Sequence, residues 1–221
     1  MNSVARRALV AVLAAGLLVA GLYVVGRLNP VPAPAITGDV LGPDNGEQVT
    51  AYLDRADASL AGPGGERWAL VSLVEATTPN AVWALTQNVP TSLSQSIFNV
   101  PIDRVQTPTV AVPSGNTEAS FLASSAVAAE SVLRRSTGTD RARAVGEVAS
   151  ARLRAGCACV VGVVVRAPLD RLRILAEASQ VRAVQALPAD ASAGLFSVVP
   201  LLPTMTTVVA PAPDDGPIPP A

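Results

Sequence analysis

Cys157 and Cys159 are the chain's two cysteines, set two positions apart in the stretch GCACVVGVVVRAP, residues 156–168. Such a pair can form a local disulfide, remain as buried thiols, join another chain or exchange electrons. In an extended strand the side chains at i and i+2 share a face, with Cα atoms about 6.5 Å apart, near the upper edge for a bridge. Outside the cytoplasm thiols meet oxidising conditions, so a structural Cys157–Cys159 disulfide is the expected form. A redox site would need an accessible thiol of low pKa. No metal is expected there, because two thiolates need further ligands and the chain has no His.

The missing residue types narrow the rest. All 16 basic residues are Arg, with neither Lys nor His present. That removes an imidazole base, a Ser-His-Asp triad, a Schiff-base lysine and a phosphate-loop lysine. Carboxylate, hydroxyl, thiol and guanidinium remain. No cofactor and no catalytic residue are expected, and the sequence leans away from an enzyme.

Glu75 and Arg166 are the second candidate pair. Each closes a short apolar run and is followed by Ala: "ALVSLVEATTPNAVWAL" at 69–85 and "VVGVVVRAPLDRLRIL" at 160–175. If the two runs are neighbouring strands, the two charges would meet at one sheet edge. They would form either a polar pocket at the strand ends or an exposed ion pair worth at most about 1 kcal/mol. Other clusters promise less. Asp39, Asp44, Asp54 and Asp57 lack calcium-loop spacing. The serines of "SFLASS" fit no nucleophile elbow. Arg134, Arg135, Arg141 and Arg143 are diluted by Glu130, Asp140 and Glu147 and read as a solvated helix face. Trp68 and Trp83 read as core anchors.

The elements that would position these residues can be taken from periodicity. Val49, Tyr52, Leu53, Ala56 and Leu60 recur at helical spacing before "GPGG" stops the helix. Residues 66–76 are rich in Val and Leu and read as a strand. Thr78 and Pro79 then open a helix through 87, as cap and first-turn proline. "SQSIFNVP" and "RVQTPTVAVP" read as extended, with prolines that confine them to edge strands or strand ends. Two helices span 117–136 and 140–156, the second closed by Gly156. Residues 157–167 form a continuous apolar run, which predicts a central strand buried on both faces. A short helix from Pro168 and a strand at 180–188 complete the set. Two strand-helix-strand units predict an α/β (α+β) two-layer sandwich, ferredoxin-like in its layout.

Residues 8–25, "ALVAVLAAGLLVAGLYVV", are uncharged, preceded by Arg6 and Arg7 and closed by Arg27. This predicts one transmembrane helix over 8–26 behind a short cytoplasmic N-terminus, 1–7. A cleaved signal peptide is the rival, with Ala33-Pro34-Ala35 as a small-residue site. Residues 27–43 read as a Pro-rich stalk, 44–203 as an extracytoplasmic domain and 204–221 as a disordered Pro-rich tail. Past residue 27, 13 Arg face 17 acids. That balance argues against nucleic acid as a partner. The expectation is a single-pass cell-membrane protein with its C-terminal domain outside. It would be held by its N-terminal helix and would bind or assemble with other membrane or envelope proteins. The alternatives are a thiol-disulfide protein and a small-ligand sensor or transport accessory.

Overall fold

The computed structural model describes residues 38–89 and 91–220, with helical backbone also at Gly16, Leu18 and Val19. The expected span at 8–26 and most of the stalk therefore lie outside the described residues. Among the described residues, no helix is long and apolar enough to cross a membrane. The chain divides into Met1–Thr37 and Gly38–Ala221, and the second unit is taken up below.

Its elements run β1 (Asp39–Leu41), α1 (Val49–Ser59), β2 (Glu66–Thr77), α2 (Pro79–Gln87), β3 (Ser92–Phe98), β4 (Val110–Pro113), α3 (Glu118–Arg135), α4 (Asp140–Arg154), β5 (Val160–Pro168), α5 (Leu169–Ala176), β6 (Val181–Ala186) and β7 (Phe196–Val198). Three helices begin at a threonine whose hydroxyl takes up a free backbone N–H. Thr78 accepts from Ala81 at 3.4 Å, Thr117 from Ser120 at 3.3 Å and Thr139 from Ala142 at 3.1 Å. At Thr117 the Ser120 hydroxyl answers back to the capping residue's own N–H, a reciprocal box.

Five strands form one antiparallel sheet in the order β4-β3-β5-β2-β6. β2 and β3 each run antiparallel to the β5 strand between them, so they are parallel to one another. β5 and β6 stand in the same relation around β2. The two strand-helix-strand units, β2-α2-β3 and β5-α5-β6, therefore interleave. β4 occupies an edge and ends in Pro113, as a proline-bearing strand should. β3 is not an edge strand but lies one strand inward. The proline of its stretch, Pro101, falls past the strand's end at Phe98, the other place open to it, so the ladder bonds on both sides survive.

Alternation along β5 builds two cores. Val160, Val163 and Val165 pack with Phe121, Val132, Leu153 and Leu172 from the helices. Val161 and Val164 point the other way, to Leu41, Leu70, Ile97 and Leu187. This is an α+β sandwich. Its second sheet face is not open to water: β1 and β7, paired in parallel, bring Leu41, Phe196 and Val198 against it. Gln185 on β6 holds that cover in place. Its Oε1 accepts the Gly42 N–H at 2.6 Å, and its Nε2 donates to the Val40 carbonyl at 3.3 Å. α1 packs beside it, with Val49, Tyr52 and Ala56 against Ala183, Leu201 and Val209.

Two expected boundaries shift as a result. The stalk was placed through residue 43, yet Asp39–Leu41 is a strand of the fold. The tail from 204 was expected to be disordered, but it is bound along the domain surface. Val49 N–H donates to the Thr207 carbonyl at 2.9 Å, Val209 N–H to Glu47 at 2.9 Å, and Val209 is buried. Proline content argued for disorder. Hydrogen bonds to distant segments and one buried valine override it.

Candidate functional site

The cysteines lie in the link between α4 and β5, ahead of the strand. Gly156 ends the helix with φ of +75°, a conformation that suits glycine. The Cys157 N–H then returns to the Arg152 carbonyl at 3.1 Å. Cys157 and Cys159 are at disulfide distance, with Cα atoms 5.3 Å apart. The strand expected from 157 therefore starts at Val160. The Cα separation is shorter than the about 6.5 Å of an extended pleat, so the chain curls across this pair instead of continuing the strand. The turn is stitched to the end of β3 where Asn99 N–H donates to the Cys159 carbonyl at 2.9 Å. Cys159 is enclosed by the helix-side core, whereas Cys157 is half-buried against it.

Arg166 and Glu75 do not meet. Arg166 lies opposite Trp68 in the β2–β5 register and pairs with Glu66 at 2.9 Å. Its guanidinium also sits 5.8 Å from the Trp68 ring centroid. Glu75 is seven residues farther along β2, roughly 20 Å away at strand rise. The reason is strand direction. β2 and β5 are neighbours, as expected, but antiparallel, so matching positions near their C-terminal ends fall at opposite ends of the sheet.

Glu75 instead stands at the mouth of a cleft. β2 parts from β5 between Ser72, opposite Gly162, and Thr77, opposite Val160. Six residues of β2, 72–77, thus span a stretch that β5 covers in three, 160–162, and the excess of β2 leaves the ladder as a bulge. The bowed segment, α2 and the turn before β6 enclose a cleft of about 330 Å³. Its walls include Leu73, Ala81, Val82 and Leu85, with Glu75 and Gln180 as polar groups. Val74 N–H donates to the Gln180 carbonyl at 2.9 Å and ties the two rims together. Val74 itself is 44 % exposed beside the opening. The charged residue at a strand end was visible in the sequence. The bulge that makes room beside it was not, because it arises from a mismatch in length between two paired strands.

The other singled-out residues have structural roles. Trp83 packs on Phe121 with ring centroids 5.8 Å apart, and Trp68 on Phe196 at 5.6 Å. Both tryptophans are half-buried. The Ser120 hydroxyl accepts the N–H of Thr117, the residue that caps α3, at 3.4 Å, and Ser124 donates to the Phe121 carbonyl of its own helix. Arg143 pairs with Asp140 and Arg134 with the Ser131 hydroxyl, while Arg141 reaches Asp214 in the C-terminal segment. Asp54 and Asp57 are exposed on α1, and Asp39 opens β1.

The chain matches no protein-family model, and no curated protein or solved structure is significantly similar to it.

Proposed function

We propose that this chain is a membrane-anchored, extracytoplasmic binding module that works without catalysing a reaction. On this reading the apolar run at 8–25 holds it in the membrane, and the domain from residue 38 meets a partner or ligand outside. The interleaved strand-helix-strand units, in the order β3-β5-β2-β6, support a ferredoxin-like core. β4, α3 and α4 are then insertions between its second and third strands, and the β1–β7 pair an added cover.

The observation that carries the binding role is the cleft at Glu75. Walls of mixed character, with Leu73, Val82 and Leu85 beside Thr77, Ser179 and Gln180, and a carboxylate at the opening suit a ligand that combines apolar groups, hydrogen-bonding groups and a cationic end, such as an envelope-protein segment bearing Arg or Lys. The test replaces Val74 with a photo-crosslinking amino acid in the full chain in its native membrane. A discrete adduct that disappears on Glu75→Arg supports the reading. Failure to form any adduct at that position, with the protein correctly inserted, overturns it.

A second reading, thiol-disulfide exchange, draws on the half-buried Cys157. Cys159 is enclosed and Cys157 partly exposed, so an outside thiolate would have to enter at Cys157. Rapid alkylation of the reduced protein at mildly acidic pH would favour it.

A further inference from the structure

β2 is longer than either of its neighbours. It has twelve residues, Glu66–Thr77, against nine in β5 and six in β6. On the β6 side the register stops at Leu73, opposite Val181. One further backbone bond follows, from the Val74 N–H to the Gln180 carbonyl at 2.9 Å. Before Gln180 the chain no longer runs beside β2. It turns between Ala178 and Val181, whose N–H donates to the Ala178 carbonyl at 2.9 Å, and leads back to α5. On the β5 side the register jumps from Ser72 to Thr77. Among the described residues, Val74, Glu75 and Ala76 therefore pair with no residue of another strand.

The cleft of about 330 Å³ opens beside this overhang, bounded by Ser179 and Gln180 at the point where β6 would have to continue. A strand segment without a ladder partner offers its backbone N–H and C=O groups to whatever lies alongside. Val74 and Glu75 are adjacent in sequence and both exposed, so neither side chain is covered by another layer. Glu75 is the one charged residue among those lining the cleft. It makes no ion pair among the described residues, so its charge is free to choose a cation. Val82 and Leu85 of α2 supply an apolar side. The volume is at the lower end of the range for ligand pockets, which suits a short segment of chain rather than a folded domain.

We propose that the end of β2 receives an extended peptide segment of a partner protein, added alongside residues 74–77 as a short strand in the line of β6, with an Arg or Lys of the segment at Glu75. This rests on the binding role proposed for the cleft and adds the way the partner is held. Main-chain hydrogen bonds supply affinity. The ion pair at Glu75 and the apolar side of α2 select the sequence. Four residues at strand rise extend about 13 Å, so a segment of about that length is enough.

The test uses the full-length chain in detergent micelles and three sets of fluorescein-labelled pentapeptides, followed by fluorescence anisotropy. The first set is X-X-Arg-X-X, with X drawn from Val, Thr and Leu. The second has Glu at the centre. The third keeps Arg but carries N-methyl groups on the peptide nitrogens of the Arg and of the residue after it. N-methylation preserves the side chains and the charge and removes two N–H groups that a strand uses. The Arg set should bind at least about tenfold more tightly than its N-methylated form, the loss expected when two main-chain bonds are deleted. Glu75→Arg should reverse the preference between the Arg and Glu sets, and a melting curve checks that this exposed substitution leaves the fold intact. With the Arg peptides bound, amide exchange at Glu75 and Ala76 should slow.

Equal binding of the N-methylated and unmodified sets would overturn strand addition and leave the cleft as a site for a cationic group alone. Absence of peptide binding, while the cross-linker at Val74 still gives its adduct in the membrane, would also overturn it, since the partner is then held in some other way. Absence of both removes the binding role of the cleft itself.

Discussion

Arg166 on β5 reaches Glu66 at the start of β2 with a separation of 2.9 Å, and so leaves Glu75, at the other end of β2, without it. One strand thus has a satisfied charge at its first residue and an exposed carboxylate beside a cleft near its last. Arg166 belongs to the sheet's stability and Glu75 to its surface chemistry.

Substitutions should separate these roles. Arg166→Ala should lower unfolding free energy by about 1 kcal/mol, through lost ion pairing and lost contact with Trp68. Glu75→Ala should stay within about 0.5 kcal/mol of wild type, as expected for an exposed residue that makes no ion pair among the described residues. Urea unfolding followed by tryptophan fluorescence measures both. A larger loss at Glu75 than at Arg166 would reverse the assignment.

Gln185→Leu should loosen the cover of the second sheet face. The substitution leaves the buried Gly42 N–H without its 2.6 Å acceptor, at a cost of about 1–3 kcal/mol. Hydrogen exchange at Gly42 should accelerate together with that of β1 and β7. Protection at β5, which has pairing partners on both sides, should fall only as far as global stability does.

Gly162 faces the Val71 carbonyl so closely that an added Cβ would stand 2.7 Å from it. The opposing atom is backbone in the middle of the sheet and cannot turn aside. Gly162→Ala should therefore cost on the order of 1–3 kcal/mol, as overpacking does, and Gly162→Val more. A melting temperature equal to wild type for Gly162→Ala would show that the sheet accommodates the methyl group.

The two cysteines should contribute unequally. Cys159→Ala removes an enclosed side chain and should cost on the order of 1–2 kcal/mol, whereas Cys157→Ala should cost less. Loss of the bridge adds little to either, since the entropy of closing so short a loop is small. Chemical denaturation of the two single variants and the double variant gives the comparison.

Alkaline pH should unfold the domain through Tyr52. Burial pushes its phenol up to about 12, partly offset by the Ser72 hydroxyl and the Arg55 guanidinium. In the unfolded chain the phenol ionises near 10. Its contribution is therefore complete below pH 10 and is lost as the pH rises from about 10 toward 12, because the unfolded state releases the proton first. Tyr52→Phe should flatten the stability profile over that interval. Absorbance of the phenolate, followed with the unfolding signal, tests the link.

The sequence by itself determined the elements whose causes are local. Thr78 and Pro79 specify a helix start through one hydroxyl and one fixed φ. Val49, Tyr52 and Ala56 mark a buried face through spacing alone. The unbroken apolar run at 160–165 requires burial on both faces, and β5 is indeed the central strand. Direction and partnership are of another kind. Whether β5 runs with β2 or against it depends on how the crossover helices pack, and that decided that Arg166 meets Glu66 rather than Glu75. The bowed end of β2 comes from its pairing length with another strand. The tail shows the same division: its prolines speak for an extended chain, while Arg104, Gln106 and Arg141, 73 to 111 positions away from their acidic partners, decide where it binds. Caps and periodicity act over a few residues, but charge pairs and strand registers join residues that only the folded chain brings together.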